Sequence, residues 1–290
     1  MYGEFEVECL KRRAAIVSSI RGFFDARGFV EVETPVRIAA PAPEPHIDCP
    51  PVIAADGGSP TYLRASPELP MKKLLAAGMD RIYQIGPCFR EGERGSRHSP
   101  EFTMIEWYRR NADYMAILDD CESLLNHLAA VVGGDVRRFR RMKVRDAYRM
   151  WAGWDPWTDW DQDRFDMDMA SKIEPSLKDE GSVFLMDYPP QAASLARLRG
   201  DVAERWELYV DGMELANCFS ELCDSDEQRR RFVAARAERA SLGESDYPID
   251  EEFLSVLNGI GFASGVALGV DRLVMTLLGV PQIDRVRASV

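Results

Sequence analysis

The sequence predicts an α/β (α+β) fold, taken as one domain with insertions, and three observations carry that expectation. Two pairs of strand-like runs, at 81–110 and 205–222, are each joined locally, as antiparallel hairpins are. Segments with helical spacing of apolar residues alternate with them along the chain. No internal repeat, low-complexity tail or convincing linker divides the 290 residues, a length within reach of one large mixed-sheet unit.

Taken in order, residues 5–27 place Leu10, Ala14, Val17 and Phe24 at helical spacing, and Gly28 follows where a helix would stop. "FVEVETP" (29–35) reads as a short strand ended by Pro35. The proline-rich stretch 40–51 is expected to be a loop. "TYLRAS" is a strand, and "SPELPMKKLLAAG" a helix opened by Ser66 and its prolines and closed by Gly78. "RIYQIGPCFR" and "EFTMIEWYR" form a hairpin with a long arginine-rich tip, and 115–131 form a further helix. "RRFRRMK" (137–143) is expected to be a solvated connector between helices, and "WAGWDPWTDW" (151–160) an insertion packing its indoles on the domain. The second hairpin, "RWELYVDGMELANCFSEL", turns at Asp211 and Gly212, a pair that accepts positive φ. A charged helix over 226–241 follows, then a strand that enters a helix ended by Gly279, "ASGVALGVDRLVMTLLG".

With 46% hydrophobic and 29% charged residues, the chain has the composition of a soluble globular protein. A net charge of -12 argues against a large sequence-independent nucleic-acid surface, which needs Lys and Arg to neutralise phosphates. The first residues lack the apolar core of a signal peptide, and no run approaches the roughly 18 apolar residues of a membrane span, so a cytoplasmic protein is expected. Six cysteines with no C-x-x-C pair suggest neither a zinc site nor a disulfide framework.

The chemistry is concentrated on strand faces. Period 2 in "EFTMIEWYR" puts Phe102, Met104, Glu106 and Tyr108 on one face and Thr103, Ile105 and Trp107 on the other. A buried Glu106 calls for a cationic partner, from the protein or from a ligand. In the last strand Gly265, Ala267 and Gly269 form a small face that leaves room for close approach to the backbone. Asp271 is suited to cap the next helix, whereas Arg272 in its first turn opposes the dipole, a conflict that an anion bound there would resolve. Asn217, Phe219 and Glu221 share a face with Glu207 by parity. Glu214 joins them only if the strand bulges near Ala216.

"FVEVETP", "FREGERGSRHSPEFTMIEWY" and "GVALGVDRLVM" resemble motifs 1, 2 and 3 of class II aminoacyl-tRNA synthetases, and "SPELPMKKLL" with "ELANCFSEL" narrows the likeness to the lysyl branch. The chain is expected to open at the catalytic helix without an amino-terminal OB-fold anticodon-binding domain, and 1–290 to be a single catalytic domain. A truncated lysyl-tRNA synthetase paralogue of this shape resembles the elongation factor P (R)-β-lysine ligase family. The resemblance implies the class II aminoacyl-tRNA synthetase catalytic core, a mostly antiparallel sheet flanked by helices and dimerised through motif 1. It implies ATP-dependent activation of (R)-β-lysine or lysine as an adenylate, and transfer to a lysine of elongation factor P.

Carried over by position, the resemblance puts Arg90 on the α-phosphate of ATP, Phe102 on the adenine, His98 near the polyphosphate and Arg272 at the γ-phosphate. Glu207 and Glu214 would hold Mg²⁺, and Glu68, Glu106, Tyr108, Asn217 and Glu221 would surround the amino acid. Ala267 stands where lysyl synthetases usually have glycine, a methyl able to discriminate between positions of the substrate's amino group. Gly92 stands where those enzymes have an acid. Two competing readings are a minimal lysyl-tRNA synthetase and a non-catalytic paralogue that binds an amino acid or nucleotide.

Overall fold

Helix α1 (Glu4–Asp25) buries Ile16, Ile20, Phe23 and Phe24, and Gly28, at φ +73°, turns the chain out of it. This is a computed structural model, and it describes residues 3–53 and 58–288. The buried stripe is rotated from the expected one. Ala14 is exposed and Leu10 only half-buried, because the helix faces α3 (Tyr114–Val131) along its Ile16 side. Phe24 stacks on Tyr83, with ring centroids 5.0 Å apart, and tilts against Trp107 at 5.1 Å.

Two short strands, β1 (Val30–Glu31) and β2 (Arg37–Ile38), precede the proline-rich loop, and β3 (Pro51–Val52) and β4 (Thr61–Leu63) follow it. The last three form a small sheet in the order β2-β4-β3. Helix α2 (Glu68–Ala76) comes next, with the Glu68 amide donating to Ser66 Oγ at 2.9 Å as expected of its opening residue. The hairpin pairs β5 (Arg81–Phe89) with β6 (Glu101–Arg110).

Beyond α3 lie β7 (Phe139–Lys143), α4 (Val144–Ala147), α5 (Gln162–Asp168), α6 (Glu174–Leu177), β8 (Ser182–Tyr188) and β9 (Leu198–Arg199). The second hairpin is β10 (Val202–Val210) and β11 (Met213–Ser220), turning with Asp211 at φ 51° and Gly212 at φ 74°. Helices α7 (Ser225–Leu242) and α8 (Glu251–Leu257), then β12 (Ala263–Gly269) and α9 (Val270–Leu278), follow.

The large sheet runs β1-β5-β6-β12-β11-β10-β8-β7, with β9 alongside β10. It is antiparallel except at its two rims, where β1 joins β5 and β7 joins β8 in parallel. The mostly antiparallel, helix-flanked sheet implied by the resemblance is therefore the observed one. One face carries Ile105, Trp107, Val266, Leu268 and Trp206 against α1, α3 and α9. A second cluster collects Tyr148, Trp154, Phe165 and Leu185, with Trp151, Trp157 and Trp160 packed on it, so the tryptophan-rich insertion does dock its indoles.

The basic stretch 137–143 is not a connector, as the sequence suggested, but includes edge strand β7. Four of its five charges are matched: Arg137 to Asp211, Arg140 to Glu180, Arg141 to Asp119 and Lys143 to Asp187. Charge along an open rim is a recurrent protection against edge-to-edge pairing.

Candidate active site

Strands β6, β12, β11 and β10 lie side by side, and their register aligns chemistry in rows across the sheet. One row is Glu106, Ala267, Asn217, Glu207; the next is Tyr108, Gly265, Phe219, Arg205. The face opposite the α1 and α3 core carries these side chains, as the period-2 reading of β6 requires. Above it opens a cavity of about 400 Å³, lined among others by Glu68, Arg90, His98, Phe102, Glu106, Tyr108, Glu214, Asn217, Glu221, Ala267 and Arg272. Eleven of the twelve residues assigned from sequence thus meet in one space; Glu207 is absent from its lining.

At one end the cavity is acidic. Glu106 is 1% exposed and accepts from Ser66 Oγ at 2.5 Å and Tyr108 Oη at 2.9 Å. Among the described residues no cation touches it, so of the two expected sources of a cationic partner the protein supplies none in contact, and two hydroxyls stand there. Burial, reinforced by Glu68, pushes its carboxyl up to about 7. The buried cation is Lys72, one turn after Glu68 on α2, and it pairs with Glu68 and Glu221. Burial and the neighbouring Glu68 push Glu221 up to about 8 although Lys72 opposes this. Asn217 Oδ1 is buried without a hydrogen-bond partner, an acceptor left for a ligand donor.

A further acid, Glu44, lines the cavity from the proline-rich loop. Burial and Glu68 raise its carboxyl, while Arg90 draws it down. Fully buried Arg239 of α7 fixes that loop: Nη1 donates to the Glu44 and Ile47 carbonyls at 2.7 and 3.0 Å, and Nη2 pairs with Asp48.

The other end is basic. Arg90 and Phe102 face each other, the guanidinium carbon 5.2 Å from the ring centroid. Arg272 Nη2 meets His98 Nε2 at 2.6 Å, and Nη1 donates to the Glu214 carbonyl at 3.0 Å. Burial, then Arg272, lowers the His98 pKa, which favours a neutral ring able to accept from Arg272. Arg272 also lies 3.6 Å from the Glu214 carboxylate. The charge conflict at the start of α9 is thus partly compensated by Glu214. Asp271 does not cap α9. Its Oδ2 accepts from the Thr103 amide at 2.7 Å and its Oδ1 pairs with Arg13 at 2.6 Å, tying α9 to β6 and α1.

The pairing of β10 with β11 slips between Leu208 and Tyr209, where Leu208 faces Ala216 but Tyr209 faces Glu214. Leu215 is the extra residue of a bulge, and it turns Glu214 onto the face of Glu207, the condition set by parity. Glu214 is pushed up to about 7 by burial and by Glu207, so a cation between them would relieve both. Glu207 already receives Arg205 and Tyr209 Oη, the latter at 2.7 Å, and each of its oxygens keeps a second lone pair. Among the described residues no group of three or more His, Cys, Asp or Glu side chains can hold a metal ion. Two carboxylates suit Mg²⁺, which takes one or two from protein and the rest from phosphates and water.

Lys72 and Glu44 escaped the sequence reading. Lys72 carried a signal, since Glu68 and Lys72 are helix neighbours at i and i+4. Glu44 carried none, because a loop residue has no periodicity. Arg109 and Arg110, at the end of β6 remote from the hairpin tip, pair with Asp120 and Asp80. Gly92 sits at φ +77° in that tip, a turn that suits glycine.

The sequence profile of tRNA synthetases class II (D, K and N) matches residues 4–288. The chain is 38% identical to the elongation factor P–(R)-β-lysine ligase of Proteus mirabilis, over 96% of this chain and 94% of that protein. It is 36% identical to the ligase of the same name from Sodalis glossinidius and 37% identical to that from Photorhabdus laumondii, with the same coverage of both chains. The chain therefore belongs to the class II tRNA synthetase family (D, K and N), in the branch represented by these ligases.

Proposed function

We propose that the chain is an ATP-dependent ligase that activates (R)-β-lysine, or lysine, as an aminoacyl-adenylate and passes it to a lysine of elongation factor P. The names of its relatives support the amino acid and the acceptor. The observation that carries the reading is one cavity with Glu68, Glu106 and Glu221 at one end and Arg90 and Arg272 at the other.

The acids select a substrate with two ammonium groups, because a neutral side chain would leave them buried and unpaired. Asn217 Oδ1 accepts from one of those ammonium groups. Phe102 stacks on adenine, with Arg90 on the α-phosphate. The substrate carboxylate attacks the α-phosphorus in line, forming an O–P bond as the bond to pyrophosphate breaks. Arg90 neutralises charge on the α-phosphate oxygens, while Arg272, held by His98, anchors the far end of the triphosphate. Glu214 and Glu207 would hold Mg²⁺, which supplies charge neutralisation to the polyphosphate. The acceptor lysine amine then attacks the adenylate carbonyl and AMP leaves.

We take 1–290 as a single catalytic domain that works in the cytoplasm. Among the described residues no helix is long and apolar enough to cross a membrane. The chain pairs as a homodimer through the motif 1 region, where Val30 lies exposed at 52%. The net charge of -12 disfavours tRNA as acceptor.

Isotope exchange between pyrophosphate and ATP, run with lysine, (R)-β-lysine and no amino acid, tests the first step. Transfer of label to elongation factor P tests the second. No exchange with any amino acid would leave a binding protein, and label ending on tRNA would make the chain a synthetase.

A further inference from the structure

A pocket whose acids await ammonium groups already contains one of its own. Lys72 is fully buried, with Nζ 2.5 Å from Glu68 Oε1 and 2.5 Å from Glu221 Oε2. Glu68 and Glu221 line the cavity, whereas Lys72 lies behind them and is not part of its wall. One oxygen of each carboxylate is thereby occupied, leaving Glu68 Oε2 and Glu221 Oε1 for a ligand.

Stability is a poor reason for this arrangement, since a buried ion pair is often matched or bettered by apolar residues of similar volume. The charges around it make a better one. Glu106 and Tyr108 face the group from β6, Glu44 from the proline-rich loop, and Cys223 from beyond β11, with Arg90 and Arg205 acting on Glu44. Without the ammonium, Glu221 would lose the charge that opposes the effect of its burial and would keep its proton to higher pH. A protonated acid no longer attracts an ammonium group. We infer that Lys72 is a positioning residue that sets the charge preference of the amino-acid pocket, its ammonium favouring the charged form of Glu221 and orienting Glu68 and Glu221 so that their remaining oxygens take a diammonium substrate; this rests on the proposed function.

The test is Lys72→Met in pyrophosphate exchange, with (R)-β-lysine or lysine and ATP each varied between pH 6.5 and 9. The KM for the diamino acid should rise at least about tenfold over wild type at pH 7, with the gap narrowing toward pH 9 as the acids ionise. The KM for ATP should change less than about threefold. Lys72→Gln keeps hydrogen-bond donors but removes the charge, and it carries the same expectation if Lys72→Met fails to fold. An unchanged amino-acid KM overturns the inference, as does a loss that strikes kcat and both KM values alike at every pH, the mark of a merely structural residue. A wild-type chain inert with every diamino acid removes the proposed function and this inference together, whereas an active wild type matched by both variants removes the inference alone.

Discussion

Tyr108 packs so tightly on Gly265 that a Cβ at that glycine would stand 2.1 Å from the ring's Cδ1. The small face of β12 therefore leaves room for a protein side chain at this point, and the Tyr108 hydroxyl reaches Glu106 because of it. Gly265→Ala should displace the ring, remove a donor from Glu106 and raise the amino-acid KM about tenfold or more. Overpacking of this kind costs about 1–3 kcal/mol of stability. Exchange kinetics and a thermal melt read the two effects, and a variant with wild-type KM would show that Tyr108 is not needed at that position.

Arg272→Ala should abolish pyrophosphate exchange while leaving the chain folded. The side chain is part-exposed and its neighbours His98 and Glu214 stay accessible to water, so the melting temperature should move little. A lost charge clamp on a transferring phosphoryl group is worth on the order of 100-fold or more in rate. Exchange at the wild-type rate would remove its phosphate role.

Ala267 sits in register between Glu106 and Asn217, with its methyl on the cavity face. Ala267→Gly should change the ratio of kcat/KM for lysine and (R)-β-lysine by about 10-fold or more, the range expected for one methyl-sized change. Equal ratios in the two proteins would assign the discrimination to another residue.

Glu106 and Glu221 keep their protons to about 7 and about 8, against an ordinary value of 4.5. Between those limits the folded ligand-free chain binds more protons than the unfolded one, so its stability should fall as pH rises from about 5 to about 8. Bound diamino acid should offset the fall at Glu106 and Glu221, and its binding should release protons. Melts at several pH values, with and without amino acid, decide this. Stability rising across that window would contradict the burial of these acids.

Glu214→Gln should raise the Mg²⁺ concentration needed for half-maximal exchange several-fold, since one of two hard anionic ligands becomes a neutral amide. A magnesium titration of the exchange reaction reads it, and an unchanged midpoint would transfer the role to other groups.

The sequence reading succeeded where side-chain period and backbone geometry are coupled. Alternation in β6 separates Glu106 and Tyr108 from Ile105 and Trp107, and side-chain parity in β11 requires the bulge that brings Glu214 to the same face as Glu207. It failed where tertiary partners decide. Asp271 has the chemistry of a helix cap, yet Thr103 and Arg13, from distant segments, claim its oxygens. The stretch 137–143 looks solvated in isolation because its matching acids, Asp119, Glu180, Asp187 and Asp211, are spread over other elements. Glu44 reaches the cavity only because Arg239 gathers its loop, a contact no local pattern encodes.

That Arg239–Asp48 clasp joins residues 191 positions apart, so the roof of the cavity cannot be fastened until α7 has been made. Gly265, which makes space for Tyr108, is translated later still. During synthesis the early acids Glu44, Glu68 and Glu106 therefore remain in water, where being ionised costs them nothing. Their desolvation falls late in folding, when the distant strands close over them.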